Sequence, residues 1–589
     1  MRWQPRGDRD RWLVALVLFL VAVGLRSLAW HGHLGYAISL LAASENPLAN
    51  LGAESGEREG LAIYLVYWLL EHLFDPGPGS IIPQQLVSFV SYCAITPAVY
   101  LLCAELDRPW TGAAGGALYA LLPASYIDAS AVNYVGFYVA LSIWGFWLLL
   151  RTLRVGRISA AVAAALVIGA GVFVRVSILL VPLVLLRELV AARRERSAKV
   201  FVVILLPILL LWLVSVGGPT SYLSYRKRDN LAFAFELNDP AQIELTMHRF
   251  SARAGHIVGE LFTPAAAEST IGLLGLIAMA CIPFFVGRTW RSLAAFVCID
   301  FVLFAAYAVD DLYAQHLLPL LSAFLFLPLE LLVIAVFRNR WHGPFLFVFV
   351  AAIVAGHKIP YSLATARELH TEEFREEFEG PMYPYLLVDE RLLVAGAPET
   401  DRVLVPNRDV CYGWRSDTRV LALADHMSPQ NVDEGALCEL LASARIDYVA
   451  ARSFEPFERF QEALRIGGMI EEQTYRMPTD ALQYDFDELE ALQADFIAER
   501  LGYFPPSLFA EYRLSRLLAR LDGRHLGASR LEFETAISYR HSAGKAEADV
   551  LLYRVYHDDT SPPRRELDCS GSCCKIVPDQ RTPTQPAIR

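Results

Sequence analysis

Residues 160–186 form an apolar run of 27 residues broken by a single charge, Arg175. A bilayer core about 30 Å thick takes roughly 20 helical residues. The run is therefore too long for one upright span and too short for two full ones. Arg151, Arg154 and Arg157 precede it; Arg187, Arg193, Arg194, Arg196 and Lys199 follow. Short basic loops stay on the cytoplasmic side, so both ends face the same way and the chain must turn back between them. The spacing predicts a hairpin of two shortened helices with Arg175 at its outer bend. At mid-membrane the same charge would cost about 2.5–3.5 kcal/mol on the most lenient scale.

The remaining apolar runs fall at about 12–30, 83–104, 110–127, 134–150, 200–217, 270–287, 291–308, 316–337 and 344–357. With the hairpin they predict eleven spans. The N-terminal arginines, Arg108, Arg288/Arg291 and Arg338/Arg340 then lie on one side, while the opposite loops 128–133 and 309–315 hold no lysine or arginine. The N-terminus is expected in the cytoplasm. Arg26, Trp30 and His31 follow the first run where a cleavage site would need small residues, so it reads as an uncleaved span. Two outer loops are long, 31–82 and 218–268. Within the first, "GLAIYLVYWLLEHLF" is too short to cross and suits a surface helix; a second such helix is expected in the other loop.

Charge divides the chain near residue 360. Residues 1–360 carry 23 acids and 26 bases; residues 361–589 carry 40 acids and 26 bases. A mildly basic membrane domain (1–360) is thus followed by an acidic domain (361–560) large enough for its own core. Its β-rich runs "DRVLVP", "TRVLALAD", "IDYVAAR" and "DVLLYRVYH" alternate with helical patterns such as "EGALCELLASA", which predicts an α/β sheet. By the topology this domain is periplasmic. Residues 561–589, rich in proline and charge, are expected to be disordered. No strongly basic surface suggests nucleic acid.

Several residues carry candidate chemistry. Arg175, at a bend near two helix ends, suits a lipid-linked phosphate; Arg26 closes the first span and suits either that role or interfacial anchoring. Glu54, Glu57 and Glu59 in "ESGERE", and Asp128 on the same side, could deprotonate an acceptor hydroxyl. Asp310 and Asp311, with His316 just beyond, could hold a divalent cation or cap the following helix. The spacing of Cys569, Cys573 and Cys574 fits a bridge better than a zinc site, and the odd count outside the spans (with Cys411 and Cys438) allows two bridges at most within one chain.

The pattern resembles the GT-C superfamily of polyprenyl-phosphate-dependent membrane glycosyltransferases. The likeness lies in Arg26 ahead of "HLGYAISLLAASENP", in "EREGLAIYLVYWLLEHLF", in "YALLPASYIDASAVNYVGFYVALSIWGFWLLLR", in "GAGVFVRVSILLVPLVLL" and in "AQHLLPLLSAFLFL". The chain departs from the family where it has His33, Gly35 and Tyr36 in place of an acid, Asn133-Tyr134-Val135 at another acidic position, Gln315-His316 for Arg-Tyr, and Arg175-Val176 for Arg-Pro. The resemblance implies an inverting transfer of a sugar from a polyprenyl-phosphate carrier to a periplasmic acceptor, a glycolipid, polysaccharide or protein. In that scheme Arg175, Arg26 and His316 would hold the carrier phosphate, and Glu54, Glu57, Glu59 or Asp128 would supply the acid. Two other readings stand beside it: a catalytically degenerate scaffold of envelope assembly, and a transporter for a lipid-linked sugar. No repeated halves favour the transporter.

Overall fold

The computed structural model describes residues 8–30, 61–74, 81–193 (save 123, 124, 126 and 127), 195–215, 287–307, 314–337 and 342–371. It further describes, with short gaps, 383–453 and 514–558, and finally 565–569 and 574–576. The chain divides into two compact units, residues 1–75 with 82–371, and residues 76–81 with 372–589.

The first unit is helical. Its elements are α1 (Asp8–Leu28), α2 (Leu61–Phe74), α3 (Ile82–Glu105), α4 (Pro109–Ala120), α5 (Val135–Val155), α6 (Ile158–Val172), α7 (Leu180–Val184), α8 (Leu186–Ala191), α9 (Arg196–Ser215), α10 (Arg288–Tyr307), α11 (Ala314–Phe337) and α12 (His342–Glu368). Six of the described helices, α1, α3, α5, α9, α11 and α12, are long and apolar enough to cross a bilayer. The protein is a multi-pass helical membrane protein. Of the eleven expected spans, that at 270–287 lies outside the described residues, as does the loop 218–268 with its expected helix. The "GLAIYLVYWLLEHLF" segment is the 14-residue helix α2.

One expectation is corrected. The run 110–127 is not a full-length helix: α4 stops at Ala120, where the Leu121 N–H turns back onto Leu118 and Tyr119. The sequence Leu122-Pro123 supplies the reason, because proline disfavours a helical residue before it and has no N–H to give.

One end of the bundle is tied by charge. Arg151 of α5 pairs with Asp8 at the start of α1 (2.5 Å) and with Glu105 at the end of α3 (3.5 Å); Arg157 also reaches Asp8 (3.7 Å), and Arg11 reaches Glu105 (3.6 Å). Trp290 of α10 donates to the Leu106 carbonyl, and Arg288 pairs with Glu188 of α8 at 3.3 Å. Both feet of the 158–191 hairpin therefore stand at the same end. A carboxylate from α11 completes this end: Glu330 accepts the Thr111 N–H at 2.7 Å, capping α4, whose first N–H groups have no partner within the helix.

Between the ends, packing rests on small residues. A Cβ added at Gly115 of α4 would strike the backbone of Ala323 in α11. Helices in lipid gain most of their affinity from such close approach.

The second unit holds a six-stranded mixed sheet in the order β2-β1-β3-β6-β5-β4. The strands are β1 (Arg402–Val405), β2 (Arg419–Ala422), β3 (Tyr448–Arg452), β4 (His525–Leu526), β5 (Ser529–Arg540) and β6 (Glu547–His557). β1 runs parallel to β2 and β3; the remaining pairs are antiparallel. Alternation along the strands divides the core. Leu404, Leu421, Val449 and Ala451 pack with helix α14 (Glu434–Ala444) on one face. Val403, Val405, Val420, Ala422 and Ala450 pack with α13 (Tyr383–Ala395) on the other. All four strands expected from the sequence are present. Helical turns are also present at Leu514–Ser515 and Leu517–Leu521.

Of the tail 561–589, residues 565–569 and 574–576 are described. Leu567–Asp568 (β7) and Lys575–Ile576 (β8) pair antiparallel, bridged by a Cys569–Cys574 disulfide. The Cys574 N–H donates to Val420 of β2, and buried Arg402 donates to the carbonyls of Ala444 and Arg565. These segments are held by a covalent bridge and by hydrogen bonds to the sheet, which composition does not reveal.

Two substitutions test this packing. Gly115→Ala is expected to lower stability by about 1–3 kcal/mol, seen as a fall in the melting temperature of the detergent-solubilised protein. Arg402→Leu removes two hydrogen bonds from a charged donor, each worth about 1.5–3 kcal/mol. It should expose the chain near Arg565 to limited proteolysis while leaving the membrane unit intact.

Candidate functional site

The hairpin bend lies at the end of the bundle opposite the ion pairs. Helix α6 ends at Val172, and the chain turns through Phe173 and Val174, with the Arg175 N–H donating to the Gly171 carbonyl at 2.7 Å. A 3-10 turn, Val176–Leu179, restarts the chain. The return arm is broken into α7 and α8, and Pro182 sits in the first turn of α7, where a missing N–H costs nothing. Gly171 lets the arms meet, since a Cβ there would collide with the Ile178 side chain. Arg175 thus sits at the carbonyl end of α6, where the helix dipole favours a cation, and it is buried.

Three helices frame Arg175. The Tyr138 hydroxyl of α5 hydrogen-bonds Ser177 at 2.8 Å, tying the bend to that helix. Asp300 of α10 is 2 % exposed, and α10 packs against α7 of the return arm. The start of α2 reaches the same bend, with the Ala62 N–H directed at the Phe173 carbonyl.

A second guanidinium is buried at this end. Arg26, in the last turn of α1, is 1 % exposed. Its Nε donates to the Ser125 carbonyl at 3.3 Å, and its guanidinium lies 5.5 Å from the centre of the Tyr119 ring. Among the described residues, neither buried terminal nitrogen, Nη1 or Nη2, has a hydrogen-bond partner. A third cation, Lys358 of α12, is buried one turn before Ser362, whose hydroxyl donates to the Leu121 carbonyl. Among the described residues, the buried charges at this end are Arg26, Arg175 and Lys358 against Asp300 alone.

The other expected site residues distribute as follows. Asp128 opens a short 3-10 turn, Asp128–Ser130, that packs on α3. His316 lies in the first turn of α11. Glu54, Glu57, Glu59, Asp310 and Asp311 lie outside the described residues. No group of three His, Cys, Asp or Glu that could hold a metal ion occurs among the described residues. Sequence reading passed over Asp300 and Lys358. A lone carboxylate inside the apolar run 291–308 was the available signal for Asp300; Lys358 was hidden by ending the last span at 357, whereas α12 continues to Glu368.

No family profile and no curated protein matches the chain. Solved structures do. Apo ArnT from Cupriavidus metallidurans matches over 78 % of this chain and 95 % of its own, at 14 % identity and a TM-score of 0.47. The oligosaccharyltransferase AglB from Archaeoglobus fulgidus, in complex with an inhibitory peptide and dolichol-phosphate, matches over 78 % and 71 %, at 11 % identity and 0.45. ArnT bound to undecaprenyl phosphate covers 92 % of this chain and 97 % of its own, at 11 % and 0.45.

Arg26 makes an opposite-signed pair of predictions. A buried cation left without a counter-charge destabilises, and replacing it by an apolar side chain of similar length is often neutral or stabilising. Arg26→Met is therefore expected to keep or raise the melting temperature of the purified protein, and to lose any stabilisation that added phosphate gives the parent.

Proposed function

We propose that this protein is an inverting glycosyltransferase of the plasma membrane that moves a sugar from a polyprenyl-phosphate carrier to an acceptor on the outer side. The observation that carries the reading is the burial of three cations, Arg26, Arg175 and Lys358, at the hairpin end. Buried guanidinium and ammonium groups at a membrane boundary suit charge-assisted hydrogen bonds to an anion. A phosphate whose isoprenoid tail stays in the bilayer fits a basic site at a membrane boundary.

The reaction is a single displacement at the sugar's anomeric carbon. The acceptor oxygen bonds to that carbon, the bond to the carrier phosphate breaks, and the acceptor's proton passes to a carboxylate. Glu54, Glu57, Glu59 and Asp128 are the candidates for that carboxylate. Arg175, with Arg26 and His316, stabilises the charge that grows on the departing phosphate. Asp310 and Asp311 are the candidates for holding a divalent cation.

The orientation rests on two independent supports. The basic loops gather at the end that holds Arg151, Arg154 and Arg157, as a cytoplasmic face requires. The second unit contains the Cys569–Cys574 bridge and a disulfide-bonded Cys411, and such bonds persist in oxidising compartments. Both supports favour a periplasmic second unit with the N-terminus inside.

The test is transfer by purified, reconstituted protein supplied with sugars on a C55 polyprenyl phosphate and with envelope glycolipids and polysaccharides as acceptors. Removing one preorganised charge donor typically costs about 10²–10³ in turnover, and Arg175→Gln should lose activity on that scale. Glu57→Gln tests the loop carboxylate. Undiminished transfer in both variants would overturn the mechanism; binding of the carrier without any transfer would instead favour the degenerate scaffold.

A further inference from the structure

We infer that Cys411 is bonded to Cys573, so that two adjacent bridges, Cys411–Cys573 and Cys569–Cys574, clasp the edge strand β2 from both faces of the sheet. The inference does not rest on the glycosyltransferase reading, and neither fails with the other.

Counting narrows the choice first. A disulfide joins two cysteines, and Cys411 is in one. Cys93, Cys103, Cys298 and Cys438 are reduced thiols, and Cys569 is joined to Cys574. Of the nine cysteines in the chain, that leaves Cys281 and Cys573. Cys281 belongs to the apolar run 270–287, and apolar surroundings suppress the thiolate that bridge formation needs.

Position then favours Cys573. Cys411 ends a 3-10 turn, Arg408–Cys411, that packs on β2, and its side chain is buried with Val420 and Ala422 on the α13 face. β2 is an edge of the sheet, and the tail meets that edge where the Cys574 N–H donates to the Val420 carbonyl at 2.8 Å. Cys574 and Ile576 pack on the other face, with α14. Side chains along an extended chain alternate between faces. Alternation therefore assigns position 573 to the α13 side, where Cys411 is buried. Consecutive Cα atoms are about 3.8 Å apart, which keeps position 573 beside the Val420 contact, and a bridge tolerates a Cα separation of only about 4.4–6.8 Å. The β7–β8 register sorts the three tail cysteines. Leu567 pairs with Ile576 and Asp568 with Lys575, so Cys569 falls opposite Cys574 and Cys573 is left for Cys411.

The second bridge has a use. An edge strand offers unpaired backbone groups to any other strand, and a doubly bridged tail covers β2 covalently. It also names a partner class, a thiol–disulfide oxidoreductase. Each S–S bond forms as two S–H bonds are lost; the protons pass to water, and the two electrons reduce the oxidoreductase's disulfide to a dithiol.

Peptide mapping of the unreduced, full-length protein tests the pairing. The protein is denatured in an alkylating agent, digested with trypsin, and the products are sequenced by electron-transfer fragmentation. The expected product joins Asp409–Arg415 to Glu566–Lys575, unalkylated and two hydrogens lighter for each bridge, with the bond between the peptides at Cys573. Cys438 should be alkylated. A link from Cys411 to Cys281, Cys569 or Cys574, or an alkylated Cys411, would overturn the inference. Native-state cleavage by trypsin after Arg565 and Lys575 gives a second readout. Cys411→Ser and Cys573→Ser should each speed it at least about tenfold, the lower end of what a bridge closing a long loop is worth. The double variant should be no faster than either, because both changes break the same bond. Additive acceleration, or none in either single variant, would count against the bond.

Discussion

A guanidinium cannot rest among apolar helices without an anion nearby, and the membrane unit is organised around that constraint. Its two ends solve it differently. At one end Arg11, Arg151 and Arg157 meet Asp8 and Glu105 in direct ion pairs, and Glu330 closes the start of α4. Charge there is matched by the chain itself. At the hairpin end three cations, Arg26, Arg175 and Lys358, are buried, as is Asp300.

The hairpin makes that asymmetry possible. Because its arms are too short for two full crossings, the bend at Phe173–Arg175 sits within the helical bundle instead of in open solvent, and Arg175 is buried. Gly171 brings the arms into contact, while Tyr138 and Ser177 pin the bend to α5.

The second unit follows the ordinary logic of a mixed sheet. Its strands bury alternate residues against α13 and α14, and its tail is fastened by the Cys569–Cys574 bridge, by the Cys574 N–H to Val420 and by Arg402. The bridge and the disulfide at Cys411 are chemical features that a reducing compartment would erode. They therefore bear on orientation as well as stability.

Apolar length and the placement of arginine were enough, in the sequence, to determine the hairpin over 158–191, the surface-length helix at Leu61–Phe74 and four strands of the sheet. These depend on local composition and on a bilayer of fixed thickness. The sequence also singled out Arg175 and Arg26, because a charge in an apolar run is visible without knowing its neighbours. Which charges meet was decided only by the tertiary structure. Arg151 and Asp8 are 143 positions apart and meet only because α5 packs beside the start of α1; Glu330 caps a helix more than 200 residues earlier. The early stop of α4 and the pinned tail were likewise settled by turns, bridges and hydrogen bonds between distant segments, since electrostatic and hydrogen-bond energies depend on separation in space and not along the chain.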